Sequence, residues 1–228
     1  MSEPAPDSFI SAEAGHAYWN SIDADVNGML GGYPDISAID IQGSRAFLAE
    51  LGIGCNAGLR SLNRVLEGGA GIGRVTEGLL LPLATTVDVV EPIAKFTEAL
   101  RGKKGVGKIF NVGLEEFGGE DEHGEALGSY DLFWNQWCLG HLKDDELVHY
   151  LSRSKAWLSD DQSLIVVKEN IAEKGKDELD EVDSSVTRQE SKYQQIFKKA
   201  GLRIIKTELQ SGLPKDLFAV RMYALRPE

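Results

Sequence analysis

Along the chain, apolar and polar positions follow two rhythms, and the change from one to the other predicts the elements. Short apolar runs predict strands at 64–67, 86–91, 108–112, 130–134 and 163–168. The segments between them carry helical spacing, near 73–81, 93–101 and 144–158. Strand and helix in alternation mean an α/β fold: a mostly parallel sheet with helices on both faces. Beyond 168 the rhythm breaks. Residues 171–186 are polar and acidic, too long for a minimal turn, and read as a functional loop. A helix at 188–200 stops at Gly201. Two more strands, 202–209 and 219–225, are joined through Ser-Gly-Leu-Pro, so they pair as an antiparallel hairpin.

Ahead of this core the pattern is helical. Residues 1–12 read as a frayed tail with two prolines. From Ser11, residues Ala14, Ala17, Tyr18 and Ile22 recur at helical spacing, with Trp19 beside them. Three glycines and a proline between Asp25 and Pro34 predict turns. A second helix is expected at 37–50 with Ile39, Ile41, Phe47 and Leu48 as its apolar positions, then a Gly-rich connection at 52–58. Residues 1–58 therefore form a helical extension packed on the α/β domain of 59–228, one globular unit in all.

At the first strand the pattern becomes chemically specific. Arg64-Val-Leu-Glu-Gly-Gly-Ala-Gly-Ile-Gly-Arg74 is a strand, a glycine turn and a helix start. Glycine accepts positive φ and has no Cβ to hold a ligand away, and the helix end behind it offers free N–H groups. A dinucleotide loop wants G-x-G-x-x-G. Counted from Gly69, that spacing puts Arg74 where the third glycine belongs. The phase Glu67-x-Gly69-x-Gly71-x-Gly73 fits instead, which resembles the first motif of class I S-adenosylmethionine-dependent methyltransferases. An acid there suits a ligand bearing a sulfonium and an ammonium.

Composition narrows the possibilities further. The 228 residues carry a formal charge of −12, which argues against a nucleic-acid binder and permits a cationic protein or peptide partner. No apolar run approaches a membrane span. The acidic N-terminus has no signal core, and Cys55 and Cys138 are too few for a disulfide framework or zinc site. A cytoplasmic location, with the nucleus as a second one, and a monomeric state are expected.

Side chains at the carboxyl ends of strands face the ligand crevice in such a sheet. Glu91 ends the second strand, where a carboxylate can accept hydrogen bonds from both ribose hydroxyls. The fourth strand leads into Gln136, Trp137 and His141: a hydrogen-bonding group, an aromatic wall, and a base or orienter that titrates near neutrality. The fifth ends in Lys168-Glu169-Asn170. The acids at 177–183 would attract a cationic substrate and could accept a proton from an amine.

Taken together, Asp25-Val-Asn-Gly-Met-Leu-Gly-Gly-Tyr, Gly-Ala-Gly-Ile-Gly-Arg, Gln-Trp-Cys-Leu-Gly-His-Leu, Val-Lys-Glu-Asn, Val-Asp-Ser-Ser-Val and Gly-Leu-Pro occur in order over nearly the whole chain. In this the chain resembles the eukaryotic protein alpha-N-terminal methyltransferases, which act on Xaa-Pro-Lys/Arg N-termini after Met removal. The resemblance implies a Rossmann-like class I sheet of seven strands finished by the antiparallel hairpin. It implies S-adenosylmethionine as cofactor, bound by Gly69, Gly71, Gly73, Arg74 and Glu91, with Leu114 and Glu115 at its adenine and Gln136 near the reacting end. It places the substrate's first residues against Trp19, Leu30, Gly31, Trp137, Asn170, Asp180 and Ser185, with Asp183 and His141 as proton acceptors and no metal. Ribosomal proteins are the expected substrates. Glu67 and Glu91 stand where Asp occurs in relatives, and Phe218 where some have Tyr. A small-molecule methyltransferase of the same fold is the alternative, against which the acidic loop speaks. A non-catalytic binding module and a nucleotide-dependent oxidoreductase come behind.

Overall fold

The valine- and leucine-rich runs become strands because both of their faces are covered. The computed structural model describes residues 4–118, 128–173 and 175–228. In these residues the strands are β1 (Leu62–Gly68), β2 (Ala84–Val90), β3 (Val106–Phe110), β4 (Leu132–Gln136), β5 (Leu164–Ile171), β6 (Glu178–Asp180), β7 (Ser185–Thr187), β8 (Leu202–Leu209) and β9 (Ala219–Pro227). Seven of them make one sheet in the order β3-β2-β1-β4-β5-β9-β8. The first five run parallel, and β9 pairs antiparallel with both β5 and β8. The expected sheet and its terminal hairpin are both present.

Side chains alternate between two cores. Leu66, Phe133, Ile165 and Tyr223 face one side, with Tyr150 of α6 (Asp144–Ser154) and Phe197 of α7 (Glu190–Lys199). Val65, Val87, Trp134, Val166 and Met222 face the other, under Phe47 and Leu48. The remaining helices are α1 (Ala12–Ser21), α2 (Val26–Met29), α3 (Ile36–Glu50), α4 (Leu81–Leu83) and α5 (Ala94–Thr97). No helix among the described residues is long and apolar enough to cross a membrane.

Several expectations needed correcting, each for a physical reason. β4 continues to Gln136 and β5 to Ile171, because Gln136 pairs with Lys168 and β9 extends the ladder to Ile171. The helix after β1 is interrupted by a π-turn at Thr76–Leu80. Pro82 has no N–H to give the preceding turn, and the Gly78 carbonyl instead accepts from Arg45 at 2.8 Å. The acidic segment after β5 is not one loop: β6 and β7 make a small hairpin of their own. Residues 4–12 are not frayed. Pro6–Phe9 forms a 3-10 turn, the Asp7 carboxylate accepts from the Asp144 N–H at 3.0 Å, and Ile10 is buried. Residues 119–127, between β3 and β4, lie outside the described residues.

The two N-terminal helices also turn differently from their apolar patterns. On α3 the buried positions are Ile36, Asp40, Ser44, Phe47 and Leu48, while Ile39 is 39% exposed. On α1 the buried residue is Gly15, and Ala14 and Ala17 face solvent. Gly15 of α1 lies against the site, whereas α3 divides its inward face: Asp40 and Ser44 meet buried Lys168, while Phe47 and Leu48 pack on the sheet as expected.

Candidate active site

In the strand order, β1 and β4 lie side by side where the chain reverses direction across the sheet, and a crevice opens at their carboxyl ends. A cleft of about 1040 Å³ occupies this position. Its floor is the turn after β1. Gly69 and Gly71 have φ values of 65° and 54°. A Cβ on Gly69 would stand 2.2 Å from the Cys138 Cβ, and one on Gly71 would stand 2.8 Å from the Met29 sulfur. Only glycine fits between these neighbours and the cleft.

Acids dominate the polar lining: Glu67, Glu91 and Glu115, with Arg74 and Gln136. Glu67 is buried, and burial pushes its carboxyl up to about 8, against a hydrogen bond from Thr76 and the charge of Arg74. Glu91, raised for the same reason, accepts the N–H groups of Gly71 at 2.8 Å and Ile93 at 2.9 Å. Each of its oxygens keeps a second lone pair for a hydroxyl. The acids Glu91 and Glu115 disfavour a pyrophosphate but suit a ligand with cationic groups. Residues present here fit S-adenosylmethionine. Leu114 and Glu115 line the same cleft, as expected. Gly73 does not. Its Cβ would meet Leu100 at 2.5 Å, so this glycine serves packing behind the loop.

A second cleft, of about 930 Å³, opens beside the first. Trp19, Met29, Trp137 and His141 line both. The expected substrate residues Leu30, Asn170, Asp183 and Ser185 line the second, joined by Ile36 and by Leu213, Leu217 and Phe218 from the turn between β8 and β9. Gly31 and Asp180 lie outside both linings. Gly31 holds a turn at φ 57°, and Asp180 is an exposed residue at the rim whose carboxylate accepts the Val182 N–H at 2.8 Å.

Around the second cleft the backbone is strained and one acceptor is free. Trp137 and Ser184 are the non-glycine residues with positive φ among the described residues, at 52° and 59°. Such conformations persist where surroundings enforce them, commonly at functional sites. The Glu169 carboxylate accepts the N–H groups of Cys138 and Leu139 at 2.9 and 2.8 Å, gripping the backbone just after Trp137. Fully buried Arg188 donates to the carbonyls of Leu139 and Leu142 and to Asp144, holding the turn that carries His141. The Trp137 indole donates to Asn170 Oδ1 at 3.1 Å, which leaves the Asn170 N–H groups as donors.

His141 accepts from the Trp19 indole N–H through Nε2 at 3.1 Å, and its ring also bonds to the Ser184 backbone. Burial lowers its pKa, with Asp183 opposing. The imidazole is therefore neutral with its lone pair engaged, and it orients Trp19. Asp183 differs: its Oδ1 is buried and has no hydrogen-bond partner among the described residues. Glu169, Arg188, Met29 and Ile36 were missed in the sequence, as was Asp40, which joins Arg74 and Gln136 from below. The polar pair Asp40 and Ser44, at i and i+4 on the inner face of an apolar helix, was the available signal.

Comparison with known proteins agrees with this geometry. Residues 7–226 match the model of a family described as AdoMet dependent proline di-methyltransferase. The chain is 42% identical over 224 residues to the N-terminal Xaa-Pro-Lys N-methyltransferase 1 of Danio rerio, covering 96% of each. It is 42% identical over 231 residues to the Alpha N-terminal protein methyltransferase 1 of Drosophila melanogaster, covering 98% of this chain and 78% of that one. A solved SAM-dependent methyltransferase from Leishmania major superposes with a TM-score of 0.83 at 33% identity, covering 94% of this chain and 82% of that one. With the glycine cradle, the acid-lined cleft and the second cleft in place, the chain belongs to the family of AdoMet-dependent proline di-methyltransferases.

Proposed function

We infer that this enzyme methylates the free α-amino group of proteins that begin Xaa-Pro-Lys or Xaa-Pro-Arg, drawing the methyl from S-adenosylmethionine. One observation carries the assignment of roles: the unpartnered Asp183 Oδ1 in the wall of the second cleft, beside the Trp137 and Trp19 that both clefts share. A buried acceptor without a partner costs stability unless a ligand satisfies it, and an α-ammonium does so by charge and by hydrogen bonding.

In the first cleft, Glu91 would hold the ribose hydroxyls, Leu114 and Glu115 would flank the adenine, and Arg74 would pair with the carboxylate. When bound, S-adenosylmethionine supplies an electrophilic methyl on a positively charged sulfur. An α-amine has a reference pKa near 8, so much of it is protonated at neutral pH. Asp183 orients that ammonium and takes the proton that must leave before nitrogen attacks. Trp137 and Trp19 fix the amine in line with the methyl, and positioning supplies much of the rate. Their ring faces also tolerate the methylammonium product by cation–π attraction. Neutral His141 holds Trp19 in place.

Proline at position two, with its fixed φ and no N–H, suits the apolar walls of Leu30, Ile36, Leu217 and Phe218. Asn170 donates to the first residues' carbonyl. Asp180 at the rim meets the basic third residue. Ribosomal proteins with such N-termini are the natural substrates. The reducing cytoplasm and nucleus suit a chain whose two cysteines are both free, one of them exposed. Mass spectrometry after incubation with S-adenosylmethionine tests the reading: a Ser-Pro-Lys peptide gains methyl groups and its N-acetylated form gains none. Equal transfer to both would refute it.

A further inference from the structure

Behind the cofactor cleft, on the side away from the ligand, one carboxylate joins four elements. Asp40 lies on α3, in the N-terminal extension, and is fully buried. Its Oδ2 accepts from Arg74 Nη1 at 2.7 Å, and both of its oxygens accept from Gln136 Nε2 at 2.9 Å. Oδ1 also pairs with Lys168 Nζ. Fully buried Lys168 is held in turn by the Asp40 carbonyl, Ser44 Oγ and Gln210 Oε1. Gln136 has no freedom left, because its Oε1 accepts the Trp134 indole N–H at 3.1 Å. The Arg74 guanidinium, fixed by Asp40, lies 5.5 Å over the Trp137 ring.

The members of this network differ in one respect. Arg74 and Gln136 line the cofactor cleft, whereas Asp40, Lys168 and Ser44 do not. A long arginine and a glutamine do not hold one rotamer at a cleft wall without a partner behind them, since ordering such a side chain costs rotamer entropy. Asp40 supplies that partner to both, with charge to anchor the first and two acceptors to fix the second. Burial lowers the pKa of Lys168, and the charge of Asp40 opposes this.

We propose that Asp40 is a positioning residue for the cofactor: through Arg74 and Gln136 it presets the cleft wall before S-adenosylmethionine binds. Helix α3 of the extension is on this account part of cofactor recognition, not only a cover for the sheet. The proposal rests on the cofactor reading of the cleft, and wild-type binding of S-adenosylhomocysteine checks that reading separately.

Calorimetry with S-adenosylhomocysteine, thermal unfolding and the two KM values test it. For D40N the expectation is affinity for S-adenosylhomocysteine weakened about tenfold, the scale of losing one charge-assisted hydrogen bond. KM for S-adenosylmethionine should rise in parallel, and KM for the peptide should stay within about twofold of wild type on the same scale. Two controls, S44A and K168M, touch the network without touching Arg74 or Gln136. They should lower the unfolding temperature yet keep the affinity for S-adenosylhomocysteine. The idea is overturned if D40N binds S-adenosylhomocysteine like wild type, if the peptide KM moves as far as the cofactor KM, or if S44A and K168M weaken binding equally. Should D40N fail to fold because Lys168 is left uncompensated, the double variant D40N/K168M carries the same expectation. Failure of both to fold would make Asp40 a structural residue and overturn the proposal as well.

Discussion

The two clefts share a wall but are made differently. The cofactor cleft is built around the ends of adjacent parallel strands and the turns that follow them, and its polar groups are partnered: Glu67 by Thr76, Glu91 by two backbone N–H groups, Arg74 and Gln136 by Asp40. The second cleft adds to the ends of β4 and β5 the N-terminal segment of α1 and the turn around Leu30, the β6–β7 hairpin and the turn before β9, three regions far apart in the chain. It holds Asp183 with its unpartnered oxygen, next in the chain to the strained residue Ser184. One side is preorganised to hold a ligand common to many methyltransferases. The other keeps one buried acceptor unsatisfied, and on the proposed function selectivity lies there.

That contrast breaks most sharply at Asp183. Replacement by Asn keeps the shape and removes the proton acceptor, so kcat should fall by about 10²–10⁴, the range for losing a general base. Affinity for S-adenosylhomocysteine, read by calorimetry, should stay at the wild-type value. A parallel loss of cofactor affinity would mean that the two clefts are not separable.

On the cofactor side the largest effect belongs to Gly69. In G69A an L-residue is forced to φ 65° with its Cβ against Cys138. Left-handed backbone and overpacking together should cost about 2–4 kcal/mol of stability, measured as a lower denaturation midpoint, along with binding of S-adenosylhomocysteine. An unchanged midpoint would show that the turn relaxes freely.

The smallest effect sharpens the comparison by pH. Burial raises Glu67 to about 8, so the native state keeps a proton that the unfolded chain releases near the ordinary carboxylate value. The native state then binds more protons over that window, and stability falls as pH rises toward 8 and levels off above it. Between pH 6 and 8 the decline attributable to this group is about 1–3 kcal/mol. Glu169, raised by burial to about 7, adds a part that is complete earlier. In E67Q the slope above pH 7 should vanish in a series of thermal melts, while the slope below 7 survives. A wild-type slope persisting in E67Q would move the titration elsewhere.

How much could be read in advance follows the same division. The strand runs, the glycine loop and Glu91 form one local block, and local backbone demands write themselves into neighbouring residues. Gly69 and Gly71 were correctly placed at the cleft, whereas Gly73, identical in pattern, turned out to pack against Leu100. The type and position of His141 allow a base or an orienter alike, and what they do not reveal is the hydrogen bond its Nε2 accepts from Trp19, 122 residues away in the chain. The apolar pattern of α3 placed Phe47 and Leu48 correctly in the core, but Ile39 is exposed and the inward face also carries Asp40 and Ser44, because there it meets buried Lys168, Arg74 and Gln136.

By itself the sequence determined the sheet, the cofactor loop and the family, since periodicity and glycine spacing are local constraints that no tertiary contact has to reveal. Only the tertiary structure decided which acid stays unpaired, which imidazole nitrogen is occupied and which buried carboxylate holds the cleft wall. Those properties depend on partners brought together across the chain, and a hydrogen bond is defined by its two ends.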